Sequence, residues 1–301
     1  MSTTWILGGH GFIGQDVVNL MKTDHSVITT SQSSAQAIHK NVPHFQIKYD
    51  ITQFKKILRD QKIDTILFLS GNAYPAHSEH SPFYEIDHTY LPFLSLAEAV
   101  RIESPATKVW FASSVAVYGA NQDPVLSEES KTQPLSFYGI AKQNIEEYIK
   151  YYSRVHKLNM GAFRLFSTYG PRLKRQLVYD LVQKMIQNPE KISVFGDGTE
   201  ARDLSFVQDQ AEAIYLVQNK IIPQGDIFNL GSGQLFTVNE IIKRLSTILK
   251  INPVIEYIPK RSFDGAKWRA DISKIEKLGF KQKFDIDQGL QLTVNELLKK
   301  S

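Results

Sequence analysis

A short apolar run, Thr3–Leu7, leads directly into Gly8-Gly-His-Gly11-Phe-Ile-Gly14, and apolar residues then recur at helical spacing from Phe12 to Met21. This stretch constrains the fold more than any other, because a strand, a glycine-rich turn and a helix must follow one another within about twenty residues. The glycines fit both Gly-x-x-Gly-x-x-Gly, counted from Gly8, and Gly-x-Gly-x-x-Gly, counted from Gly9. Glycine permits a tight turn and close approach of backbone to a pyrophosphate, and the helix N-terminus behind it favours negative charge. Gly8, Gly11, Phe12, Ile13 and Gly14 are therefore candidate contacts for a dinucleotide.

The alternation continues. His25–Thr30 and His44–Lys48 read as strands, Gln53–Gln61 as a helix, and Ile63–Ser70 as a strand buried on both faces. Pro82–Glu103 reads as one helix interrupted only by Pro92, and Lys108–Ala112 as another buried strand. Repeated βα units predict an α/β fold, a Rossmann-type doubly wound parallel sheet with ligands at the carboxyl ends of its strands. The second strand runs out at Ser31, where an acid would hold the ribose of NAD and an arginine the extra phosphate of NADP; neither is present, so hydroxyls such as that of Ser31 leave NAD and NADP both open. Asp50-Ile51 follows the third strand, where an adenine contact or a helix N-cap falls.

Tyr138 and Lys142 are four residues apart and share one helix face. An isolated phenol has a pKa of about 10, and a fixed positive charge nearby lowers it, which would make Tyr138 a proton donor or acceptor. Such a pair also arises where a solvated lysine lies beside a packed tyrosine, so its neighbours must decide. The strand Val109–Ala112 delivers Ser113 and Ser114 to the carboxyl edge of the sheet, where nicotinamide and substrate should meet. A serine hydroxyl, a phenol and an ammonium around one carbon can exchange a proton with a hydroxyl while a hydride moves to or from nicotinamide.

In this combination the chain resembles the extended short-chain dehydrogenase/reductase family, in its NAD-dependent epimerase/dehydratase group acting on nucleotide sugars. The resemblance covers nearly the whole chain and includes the glycine motif, Asp50-Ile51, Ser113-Ser114-x-x-Val117-Tyr118-Gly119, Tyr138-x-x-x-Lys142, Arg164-Leu-Phe-Ser-Thr-Tyr-Gly-Pro171-Arg172, Gly196-Asp-Gly-Thr-Glu-Ala-Arg202-Asp203 and Asn229-Leu-Gly-Ser-Gly233. It implies Ser114 rather than Ser113 as the catalytic serine, Tyr138 as general acid/base, and Lys142 as the residue that holds the nicotinamide ribose and lowers the tyrosine pKa. It places Ser167, Arg202 and Arg261 on the substrate, the two arginines gripping a diphosphate in the bidentate manner that suits guanidinium. Family members that remove water carry Asp-Glu directly after the catalytic hydroxyl residue. Here those positions are Val115 and Ala116, so dehydration is not expected. The implied activity is a nucleotide-sugar epimerase working at C4, with an NADPH-dependent reductase of a 4-keto sugar as the alternative and a silent nucleotide-binding regulator behind both. Departures at Ser167 and Thr89, where the family often has asparagine, and at Phe137, where it often has proline, leave base and sugar open.

Residues 1–170 are expected to form the nucleotide-binding domain and 171–301 a substrate-binding portion packed on it, part of which could return to the first sheet. Beyond Gly170 the chain reads as helices at Gln176–Gln187, Asp209–Asn219, Thr237–Leu249, Asp271–Leu278 and Ile286–Leu298, with a strand at Lys191–Phe195. The 35 basic and 31 acidic residues of the 301-residue chain are mixed without a basic block, which argues against nucleic acid. No cysteine is present, so disulfides, thiolate metal sites and a cysteine nucleophile are excluded, and His77 and His80 read as a hydrated loop rather than metal ligands. No apolar run reaches membrane-spanning length and no signal peptide is apparent, pointing to the cytoplasm. The family's four-helix dimer contact has counterparts in Pro82–Glu103 and Ser136–His156, so a homodimer is expected.

Overall fold

The apolar strands and amphipathic helices of the first half alternate because each parallel strand needs a covering crossover, and the computed structural model shows the resulting layers. It describes residues 2–32, 38–72, 75–259 and 268–299. Strand β1 (Thr3–Leu7) enters the glycine turn and α1 (Phe12–Met21); β2 (Ser26–Ser31), β3 (His44–Gln46), α2 (Ile51–Asp60) and β4 (Thr65–Phe68) follow. Helices α3 (Pro75–His80) and α4 (Pro82–Glu85), a π-turn at Ile86–Tyr90 and α5 (Leu91–Glu103) lead to β5 (Lys108–Ser114), α6 (Phe137–His156), β6 (Met160–Leu165) and β7 (Ser167–Tyr169). The remainder comprises α7 (Gln176–Gln187), β8 (Lys191–Phe195), β9 (Ala201–Phe206), α8 (Val207–Lys220), β10 (Ile227–Leu230), β11 (Leu235–Thr237), α9 (Val238–Leu249), β12 (Val254–Ile258), α10 (Ser273–Glu276) and α11 (Ile286–Leu298).

Seven parallel strands form the central sheet in the order β3-β2-β1-β4-β5-β6-β10. The order reverses between β1 and β4, and the carboxyl ends of these strands therefore border the crevice where such sheets bind ligands. Each face of the sheet carries its own core, one built around Trp5, Phe68, Phe93 and Phe111, the other around Val17, Val18, Trp110, Phe163 and Ile214. A third core, with Val182, Ile192, Ile241 and Val294, belongs to the later part of the chain. That later part also sends β10 back to the edge of the main sheet and α8 on to α1, so residue 170 does not divide the packing.

Several sequence expectations change. Pro82–Glu103 is two helices joined by a π-turn, and the turn lets Pro92, which has no N–H to donate, sit within the first two positions of α5. His77 and His80 lie on α3 rather than in a loop, and among the described residues no cluster of metal-binding side chains exists. Only Ser273–Glu276 of the predicted helix Asp271–Leu278 is helical, because Leu278 runs into Gly279, which takes a left-handed φ of +93°. The Ile63–Ser70 strand is trimmed to Thr65–Phe68.

Candidate active site

The glycine turn opens with Gly8 in the left-handed region at φ +84°. Its N–H donates to the Thr30 carbonyl at 3.0 Å, and its own carbonyl accepts from the Gly11 N–H at 2.9 Å. A Cβ on Gly14 would lie 2.2 Å from the Gly8 oxygen, so only glycine lets α1 begin this close to the strand. Gly11 is the N-cap of α1 and brings no capping side chain, so the first N–H groups of the helix point at the crevice without a side-chain partner. These features fit a pyrophosphate. Gly14→Ala is expected to open the turn and weaken dinucleotide binding by about tenfold or more, measured as a Kd by calorimetry.

The three chemical groups come from two elements. β5 ends in Ser113 and Ser114, whose side chains diverge. Ser113 donates to the buried Glu146 carboxylate at 2.5 Å and is thereby tied to the scaffold. The Ser114 oxygen accepts from the Ala116 N–H at 3.2 Å and the Ser114 side chain hydrogen-bonds Tyr138. Ser136 caps α6 by accepting from the Gly139 N–H, which fixes the first turn that carries Tyr138. One turn on, the Lys142 ammonium donates to the Ala112 carbonyl at 2.9 Å, 4.5 Å from the centre of the Phe111 ring and 5.4 Å from that of Tyr138. All three residues are buried.

Burial dominates their protonation. It pushes the Tyr138 phenol up to about 12, with the nearby Glu85 carboxylate adding to the rise and Ser114 and Arg175 opposing it. Burial likewise lowers Lys142 to about 8, against the pull of Glu85 and Glu146. A lysine with a lowered pKa carries its charge below that value and loses it above. Turnover per free enzyme, kcat/KM, should therefore decline above about pH 8, and in Lys142→Arg, which stays charged, the residual activity should show no such decline.

One cleft of about 570 Å³ joins these groups. It is lined by Gly8, Gly11, Phe12, Ile13 and Gly14, by Ser114, Tyr138 and Lys142, and by Ser167 and Arg202. Ser31, Asp50 and Ile51 lie outside that lining. Asp50 is the N-cap of α2, accepting from the Gln53 N–H at 2.9 Å, and Ile51 begins the helix. Ser31 closes β2 and hydrogen-bonds the His44 ring at 3.1 Å. Arg261 falls outside the described residues. Sequence reasoning missed three groups. Arg175 and Asn72 line the cleft, and Glu85, held to Asn72 by a short hydrogen bond, acts on both Tyr138 and Lys142. Arg175 lies three residues beyond the family segment ending at Arg172, and Glu85 falls inside the stretch Pro82–Glu103 that reads as one helix.

The sequence model of the NAD dependent epimerase/dehydratase family matches residues 4–231. A putative UDP-glucose 4-epimerase of Methanocaldococcus jannaschii is 28% identical over 96% of both chains. The UDP-glucuronate 4-epimerase of Thermodesulfobacterium geofontis is 30% identical over 85% of this chain and 79% of its own. Among solved structures, UDP-glucose 4-epimerase of Thermotoga maritima with UDP-glucose superposes with a TM-score of 0.91 over 99% of both chains at 28% identity.

Proposed function

This chain belongs to the NAD dependent epimerase/dehydratase family, and on that premise we propose that it is an NAD-dependent epimerase that inverts C4 of a nucleotide sugar, a UDP-sugar in the first instance. The observation that carries this reading is the single cleft in which Ser114, Tyr138 and Lys142 stand between a dinucleotide turn and Arg202. When bound, the nicotinamide supplies the acceptor and later the donor of the hydride. Tyr138 takes the proton of the sugar hydroxyl, and Ser114, hydrogen-bonded to it, orients that hydroxyl. The Ser114 hydrogen bond and the charge of Arg175 favour the phenolate that this step requires, and the Lys142 ammonium, 5.4 Å from the Tyr138 ring centre, would act in the same sense while it is charged. Once the keto sugar presents its other face, Tyr138 returns the proton. Val115 and Ala116 beside Ser114 carry no acid or base, so elimination of water has no agent there.

Supporting roles follow from the same reading. Lys142 also holds the nicotinamide ribose, Asp50 and Ile51 border the adenine, and Ser167, Arg202 and Arg261 hold the nucleotide and diphosphate of the substrate. Residues 171–301 supply the substrate-binding portion in addition to β10 and α8, which pack with the first sheet. Exposed apolar residues on α5 and α6, among them Leu91, Ile102, Ile140 and Val155, suit a homodimer contact. Among the described residues no helix is long and apolar enough to cross a membrane; a cytoplasmic location accords with that.

The absence of a carboxylate at Ser31 favours a second reading, an NADPH-dependent reductase of a 4-keto sugar. One assay separates the two. The purified chain is given UDP-glucose, UDP-glucuronate or UDP-N-acetylglucosamine without added nicotinamide, and the C4 epimers are followed by NMR. Epimer formation with retained nicotinamide supports the proposal, and stoichiometric NADPH consumption on a 4-keto sugar, without epimerisation, overturns it.

A further inference from the structure

Glu85 is a buried carboxylate that the hydride and proton steps leave without a part. It is 2% exposed, and the π-turn sets its place: Glu85 and Thr89 are both buried, while Ile86, Asp87 and His88 between them are exposed. Together the two clamp Asn72, which lines the cleft. The Thr89 hydroxyl accepts from the Asn72 N–H at 3.0 Å, and Glu85 Oε1 accepts a short hydrogen bond from the Asn72 carboxamide. Gly71 precedes them in the left-handed region at φ +118°, and a Cβ there would lie 2.9 Å from the Thr89 oxygen. Glu85 Oε2 is buried without a hydrogen-bond partner among the described residues. A buried carboxylate held at one oxygen only is strongly unfavourable unless a positive charge faces it.

Lys142 meets the converse problem. Its ammonium is buried, donates to the Ala112 carbonyl, and otherwise meets the rings of Phe111 and Tyr138. Two carboxylates act on it, Glu85 and Glu146. Glu146 is already committed, since Arg164 donates to both of its oxygens and Ser113 to one. Glu85 has no ion pair of that kind among the described residues. We propose that Glu85 is a positioning residue for the reaction: its carboxylate, held by Asn72, is the counter-charge that keeps the Lys142 ammonium in the buried site. Its consequence for turnover rests on the epimerase reading above; the charge pair itself does not.

The other charged or titratable groups on the elements packed around the pair are engaged elsewhere. His77, Glu79 and His80 of α3 and Asp87 and His88 of the π-turn are exposed. Tyr90 meets Tyr148, Glu98 of α5 pairs with Arg101, Arg164 of β6 faces Glu146, and Arg175 acts on Tyr138. On Tyr138 the Glu85 carboxylate works in the opposite sense, favouring the protonated phenol. The free enzyme thus keeps its lysine charged and its phenol protonated. Without the carboxylate, burial acts on Lys142 with less opposition, and its pKa of about 8 should fall by about one unit. The ammonium would then be lost as pH rises through about 7 rather than about 8.

The test is Glu85→Gln, which keeps the shape and an oxygen to accept from Asn72 and removes only the charge. Titration of Lys142 is followed by NMR of lysine isotope-labelled at Cε, assigned by its absence from Lys142→Arg, and kcat/KM is measured across pH. The expected result is a Lys142 midpoint lower by about one unit, and a loss of kcat/KM that grows with pH, about fivefold at about pH 8 and approaching tenfold at about pH 9. In the Lys142→Arg background the same substitution should bring no pH-dependent loss, because arginine stays charged. An unmoved midpoint, or a loss equal at every pH, makes Glu85 scaffold and overturns the proposal while leaving the epimerase reading intact. A chain that epimerises no nucleotide sugar overturns both that reading and the part of Glu85 in it. If Glu85→Gln does not fold, Glu85→Asp, which keeps the charge and withdraws it by one methylene, decides: a smaller shift in the same direction supports the proposal, and an unmoved midpoint overturns it.

Discussion

Tyr138→Phe is expected to lower turnover by a factor of about 100 to 10,000 while leaving the affinities for nucleotide sugar and nicotinamide nearly unchanged. The phenol is buried, hydrogen-bonded to Ser114 and close to the Lys142 ammonium, and no other titratable hydroxyl shares that position among the described residues of the cleft. Phenylalanine keeps the ring and its packing and removes only the proton carrier. The loss should therefore appear in kcat rather than in binding, as for an interaction made in the transition state. Turnover that survived the change nearly intact would show that Tyr138 is scaffold, and binding that persisted with no wild-type turnover on any nucleotide sugar would favour a silent nucleotide-binding protein.

The second large effect concerns stability. Glu146 and Arg164 are 1% and 2% exposed and form a buried pair with Arg164 Nη2 donating at 2.7 Å. The carboxylate also accepts from Ser113, and Arg164 also donates to the Tyr118 hydroxyl at 2.9 Å and to the Glu128 carbonyl at 3.1 Å. Tyr118 in turn donates to Asn229 at 2.6 Å, so the network ties β5, α6, β6 and β10 beneath the active-site edge. Arg164→Met leaves a buried carboxylate uncompensated and is expected to cost about 3–5 kcal/mol of folding stability in denaturant titration. The double variant Arg164→Met/Glu146→Leu should recover much of that, since apolar replacement of both charges is commonly near neutral. A double variant no more stable than the single one would mean that geometry rather than charge compensation sustains the network.

The parts of this architecture that were readable in the sequence have local causes. Phe12–Met21, Gln176–Gln187 and Lys191–Phe195 were read with the bounds the structure shows, because glycine punctuation and helical or strand periodicity act within a few residues. In the sequence only the family resemblance separates Ser114 from Ser113; in the structure Ser113 is bonded to Glu146 and Ser114 to Tyr138. What stayed hidden depends on distant packing. The π-turn at Ile86–Tyr90 adds a residue to a helix without changing its composition. β10 is four residues long and becomes a sheet strand only by pairing with β6. Glu85 and Arg175 are single charges whose meaning arises where α4 and the approach to α7 meet Tyr138. His10, His39 and His44 have no metal-like spacing to flag them, and they meet because the glycine turn, the stretch before β3 and β3 itself converge.

In the proposed reaction a hydride leaves and returns to the same sugar carbon within one cleft. The most direct measurement follows a nucleotide sugar deuterated at C4 through epimerisation in ordinary water, with the same reaction of unlabelled sugar run in heavy water. The account requires the epimer to keep its C4 deuterium and to gain none from solvent. Loss of the label to water, or its appearance at C4 from heavy water, would show deprotonation at carbon and contradict it.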